Sequence, residues 1–194
     1  KLPVRFAMMH ITNPDIIACL VKHAADALTY MESRNDSKPL HYACAFKSPL
    51  DTIRIIVQEY PDAITETDRN GNYPLHLALA YEAPIEVCLY LLDTYEDIKE
   101  NGPNSQIFQI PKINKKKAKF TLTNYQELNN ICEIRDAKGR LPLHLCAQSK
   151  STSLELLEKI SALYPKAHIL TIDLPLAMEE SQLSEIEKKK EQKM

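Results

Sequence analysis

Three histidines stand at one position of a recurring tripeptide: His41, His76 and His144 each follow Pro-Leu. Imidazole changes protonation near neutral pH and is the commonest metal ligand, so a repeated histidine first raises acid–base or metal chemistry. The spacing argues against both. Pro3, Pro39, Pro74 and Pro142 lie 36, 35 and 68 residues apart, and the last gap is two periods of about 34, a stacking rhythm. Equivalent side chains of stacked units are strung along the stack and do not gather into one tetrahedral or triad centre. His144 with Cys146 is the best local nucleophile pair, yet Cys146 occupies the column of Ala43 and Ala78. A small residue in a packed slot is the preferred reading there, not an activated thiolate.

Other chemistry finds little support. The five cysteines, at 19, 44, 88, 132 and 146, form no CxxC pair and no zinc-like rhythm; they read as buried, reduced thiols of a cytosolic protein. Only three glycines are present, far apart, which excludes a dinucleotide fingerprint and a P-loop. No cofactor and no metal site is expected, and no enzyme class emerges. A formal charge of −2 over 194 residues gives no general pull toward nucleic acid or anionic lipid. The longest apolar run, Ile16 to Val21, is far too short for a membrane span. Lys1 falls inside a repeat, which suggests an excerpt of a longer polypeptide.

The elements around the histidines repeat with them. After each proline motif comes a short apolar segment, then a second segment opened by Asn13-Pro14-Asp15, Ser48-Pro49-Leu50-Asp51, Ala83-Pro84-Ile85-Glu86 or Thr152-Ser153-Leu154-Glu155. Proline suits a first helical turn, and the acid after it suits the positive end of the helix dipole. Apolar residues then recur at i, i+1, i+4 and i+5, as in Ile16, Ile17, Leu20 and Val21 or Val87, Cys88, Leu91 and Leu92, which predicts one buried helix face. A shared mark ends these second helices: Tyr60-Pro61, Tyr95-Glu96 and Tyr164-Pro165. Turns follow, with Asp68-Arg69-Asn70-Gly71-Asn72 in register with Asp136-Ala137-Lys138-Gly139-Arg140. The recurring glycines predict a backbone site with positive φ.

Turn, Pro-Leu-His, short helix, helix, turn: in this the chain resembles the ankyrin-repeat family. The resemblance covers units of about 1–32, 33–67, 68–98 and 132–167. It implies an all-α solenoid of L-shaped repeats with hairpin-like turns projecting to one side. It also implies that His41, His76 and His144 brace those turns through hydrogen bonds. The chain departs from the family pattern at the threonine before Pro-Leu-His, replaced by Lys38, Tyr73 or Leu141, and at the glycine between the helices, which is missing.

Residues 99–131 break the rhythm. Six lysines there face two glutamates, a net +4, and the stretches at 107–110 and 120–123 have strand-like composition. An inserted loop or β-hairpin tipped by Lys115, Lys116 and Lys117 is preferred over a degenerate repeat, because the segment has little to bury. An acidic protein surface is the partner these lysines would suit; nucleic acid is not expected. Residues 168–178 read as a partial cap, completing a repeat domain over 1–178, and 179–194 as a charged helix or tail.

Function is expected to be binding of one or more proteins. Loops on a rigid scaffold carry recognition, which selects the turn residues Arg34, Arg69, Asn72, Lys138 and Arg140. The column seven residues after each proline adds His10, Phe46 and Tyr81. The expectation is a non-catalytic interaction or scaffold module in the cytoplasm. Alternatives are a fixed subunit of a large cytoskeletal or organellar assembly, and a regulatory segment of a longer enzyme or channel.

Overall fold

A computed structural model describes residues 13–23, 36–109, 128–136, 138–149 and 153–165. Eight α-helices are found among them: α1 (Pro14–His23), α2 (Pro39–Ala45), α3 (Leu50–Glu59), α4 (Pro74–Ala80), α5 (Ile85–Asn101), α6 (Gln106–Gln109), α7 (Pro142–Gln148) and α8 (Leu154–Leu163). Short 3-10 turns lie at Pro61–Ile64, Gly102–Asn104 and Ile131–Glu133. No strand occurs among the described residues.

The short helices α2, α4 and α7 begin at the proline of each motif, with φ pre-set for the first turn. The histidine two residues on sits at the third helical position. Its Nδ1 accepts the backbone N–H of the residue before the proline: Lys38 to His41 at 3.1 Å, Tyr73 to His76 at 3.1 Å and Leu141 to His144 at 3.0 Å. That is the part Glu or Gln plays in a capping box, and it satisfies one donor at the helix entrance.

These short helices pack directly on one another, α2 on α4 and α4 on α7. The longer helices form the second row, with α1 against α3, α3 against α5 and α5 against α8. Between the rows runs one continuous core containing Ile17, Leu40, Ile53, Leu75, Leu92, Cys146 and Ile160. Truncating a buried leucine such as Leu92 to alanine costs roughly 2–5 kcal/mol, through lost transfer energy and the cavity left behind.

Two of the short helices, α2 and α4, leave their last turn through a left-handed residue, Lys47 (φ 57°) and Glu82 (φ 54°). These are the places where the family glycine is missing, and a side chain with a Cβ there carries strain.

The expected helix end at Tyr95 is not observed. α3 stops at Glu59 before Tyr60-Pro61 and α8 at Leu163 before Tyr164-Pro165. At the corresponding site Glu96 replaces proline, so nothing blocks the backbone ladder and α5 runs on to Asn101. The boundary at 98 therefore falls inside a helix. The strand-like reading of 107–110 also fails over its described part, because Gln106–Gln109 is the helical turn α6. Asp97 produces that outcome. Its carboxylate accepts from Asn101 Nδ2 (2.7 Å), Ser105 Oγ (2.5 Å) and the Gln106 N–H (3.0 Å), folding the chain back over α3 and α5. The segment 110–127, with Lys115, Lys116 and Lys117, lies outside the described residues, as do 166–194.

Candidate functional site: the groove between the third and fourth turns

The two complete turns are built alike. Asp68 N–H donates to Asn72 O at 3.0 Å, and Gly71 N–H to Asp68 O at 3.0 Å. Asp136 pairs with Arg140 O and Gly139 in the same way, both at 2.9 Å. Gly71 and Gly139 each have φ of 73°, and Asp36 holds the equivalent place at φ 50°. The sequence expectation of positive φ at these glycines is met. Each aspartate side chain closes its turn from within: Asp68 Oδ1 accepts from Asn70 N and Asn72 N, and Asp136 Oδ1 from Lys138 N and Arg140 N.

The histidines tie one turn to the next unit. With Nδ1 accepting, the ring proton is on Nε2, and it points to a carbonyl: Asn72 O for His41 at 3.2 Å and Ile134 O for His76 at 2.9 Å. Burial holds both imidazoles below their ordinary pKa, an effect only partly offset by nearby Asp68 in each case. These are neutral structural groups.

His76 thus reaches across 58 residues to the entrance of the fourth unit. The two turns and the end of α4 enclose a groove of about 490 Å³, whose walls include Asn70, Asn72, Tyr81, Asp136, Lys138 and Arg140. Leu77 and Ala80 supply apolar surface to it. Four of the residues singled out from sequence therefore share one site: Asn72, Tyr81, Lys138 and Arg140. They differ in what they have left to offer. Asn72 donates its side-chain amide to Asp68 Oδ2 at 3.1 Å, and Arg140 clasps Asp136 at 2.7–2.8 Å. Burial would raise the Asp136 pKa, but the Arg140 guanidinium and the two turn amides outweigh it and hold the carboxyl below its usual range. Tyr81, by contrast, is 54% exposed.

Phe46 lies one unit earlier, and Arg69 belongs to the turn of Asn70 and Asn72 without lining the groove. Phe46 is exposed and stacks on Tyr42, centroids 6.3 Å apart, while Arg69 pairs with Asp36 of the preceding turn at 3.3 Å. His10 and Arg34 lie outside the described residues. Asn70 was missed by sequence reading, although it occupies the same turn position as Lys138 and the alignment of the two turns contains that signal.

Cys44, Cys88, Cys132 and Cys146 are free thiols inside the core, whereas Cys19 is exposed on α1. Burial pushes the Cys88 and Cys132 thiols up to about 12, far from a reactive thiolate. Among the described residues no three His, Cys, Asp or Glu side chains come together as metal ligands, and no helix is long and apolar enough to cross a membrane.

A family profile of ankyrin repeats, three copies long, matches residues 5–102, just over half of the chain. The chain belongs to the ankyrin-repeat family. No curated protein matches it significantly. Ankyrin repeats are in general modules of protein–protein interaction and typically lack enzymatic activity. The profile ends at Gly102, so the fourth unit of this ankyrin-repeat chain is defined by α7, α8 and the Asp136 turn.

Proposed function

We propose that this chain is a non-catalytic binding module whose protein partner seats on the turn side, across the groove between the third and fourth units. The convergence of Tyr81 and Lys138 on one rigid concavity carries the reading. Tyrosine supplies large contact area with few rotors to freeze, and such residues dominate interface energies. Burial of four thiols and of the neutral, doubly bonded His41 and His76 gives added support, because it withdraws those groups from nucleophilic and acid–base work. The free thiols are in keeping with a reducing, intracellular setting. Residues 102–131 we read as an insertion that leaves and rejoins the stack on its outer-helix side. Direct packing of α4 on α7 supports this, as does the bond from Asn130 Nδ2 to Leu163 O at 2.7 Å.

The test is site-specific photo-cross-linking in extract from the native source, with p-benzoylphenylalanine in place of Tyr81 or of Leu154, which is 68% exposed on the opposite row. Position 81 should trap the protein that co-purifies with the chain, and position 154 should not. Trapping from 154 alone would place the partner on the wrong side.

A further inference from the structure

The groove has more hydrogen-bond donors than it can use. Its carboxylate, Asp136, is spent on both oxygens. Oδ1 takes the Lys138 and Arg140 amides, and Oδ2 takes the Arg140 guanidinium twice. Asp68, behind the other wall, is likewise filled by Asn70 N, Asn72 N and the Asn72 side chain. Two exposed groups at the same turn position also line the groove, the Lys138 ammonium and the Asn70 carboxamide. Among the described residues Lys138 makes no ion pair and the Asn70 side chain takes no hydrogen bond. Of the acids and cations lining the groove, Asp136 and Arg140 cancel, and Lys138 leaves a charge of +1.

Chemistry of a second kind lies within reach of that charge. Leu77, Ala80 and the exposed Tyr81 ring line the same groove. We infer that the groove recognises an acidic segment of a partner protein. One carboxylate meets Lys138 and Asn70, and a neighbouring apolar side chain lies on Leu77, Ala80 and the face of Tyr81. The inference rests on the reading of the turn side as the partner surface and adds the chemical class of what binds there. A single unspent cation in a chain of net charge −2 suits a carboxylate pair. It does not suit a polyphosphate backbone, whose binding draws on many simultaneous cation contacts.

The experiment selects a random heptapeptide library, displayed on phage, against the immobilised full chain, then measures the winners by fluorescence polarisation. Enriched peptides should carry net negative charge beside an aliphatic or aromatic residue. Their affinity should fall about ten-fold with Lys138→Glu, and also in about 1 M salt, where the screening length shrinks to ~3 Å. Lys138 is exposed on a turn closed by other groups, so an unchanged melting temperature will confirm that the variant folds; Asn70→Asp provides a second, independent charge change. Neutral or basic winners, equal affinity for Lys138→Glu and Asn70→Asp, or no winners at all would overturn the inference. So would displacement of the peptides by oligo(dT) at comparable affinity, since the groove would then be reading phosphate. The underlying reading fails differently: the native partner would remain bound when Tyr81 and Lys138 are both replaced.

Discussion

At the scale of single residues, the histidine of two motifs, His41 or His76, does two things with one tautomer. It accepts from the helix entrance through Nδ1 and donates to the following unit through Nε2, so a second ring proton would break the first bond. His41 and His76 both titrate below their ordinary value because they are buried. The unfolded chain therefore takes up protons at a higher pH than the folded one. Stability is complete above pH ~6.5 and declines as pH falls from there through the lowered folded values, by at most about 1.4 kcal/mol per histidine per pH unit. Urea titrations at neutral pH and near pH 5.5 will show this slope, and His76→Gln will flatten it while lowering stability at neutral pH. Lys47 and Glu82 make a second case. Each holds a left-handed conformation that glycine adopts freely, so Lys47→Gly and Glu82→Gly should each raise stability by up to about 1 kcal/mol, after the entropy lost by glycine. Thermal melts will read the gain. These features were legible in the sequence, because the Pro-Leu-His motif, the turn glycines and the missing loop glycine are local signals. The network in which Lys38 Nζ meets Glu66 and lies 5.1 Å from the Tyr60 ring centroid was not. Its members are 22 and 28 residues from Lys38, and no short-range pattern joins them.

At the scale of elements, one substitution in the repeat changes where a helix stops. Proline ends α3 and α8 on schedule, and Glu96 in its place lets α5 continue to Asn101. The expected boundary rested on the tyrosine, which recurs, when the proline beside it is what blocks the ladder. Composition misled again at α6, because Ile107 and Phe108 favour strands in general. The Asp97 carboxylate overrides that preference by holding Ser105 and the Gln106 N–H, and Ile107 is buried. Asp97→Ala should leave α5 intact and release the elbow. Amide exchange at 105–109 will accelerate, and global stability will fall by about 1.5–3 kcal/mol, the range for a hydrogen bond to a charged group. Unchanged protection at 105–109 would mean that Ile107 alone holds the elbow.

At the scale of the whole molecule, the candidate site belongs to no single unit. Its lining comes from turns 68–72 and 136–140 and from α4; these meet because α7 packs on α4 despite the sequence that separates them. On the other row the Lys159–Asp93 ion pair joins α8 to α5. The columns and turns of the repeat singled out Asn72, Tyr81, Lys138 and Arg140, and that these share one groove required knowing which units are neighbours. Replacing 110–127 with a flexible linker should therefore leave the melting temperature within a few degrees of the parent and keep the groove, whereas a repeat in the stack would take its neighbours with it. The account as a whole is tested most directly by the affinity of the co-purifying partner for three proteins of equal thermal stability: the parent, the double variant Tyr81→Ala/Lys138→Glu, and Leu154→Ser on the opposite row. The double variant should lose at least about ten-fold, as for an interface anchor, and Leu154→Ser should bind as the parent does. An undiminished affinity for the double variant, or a loss confined to Leu154→Ser, would contradict it.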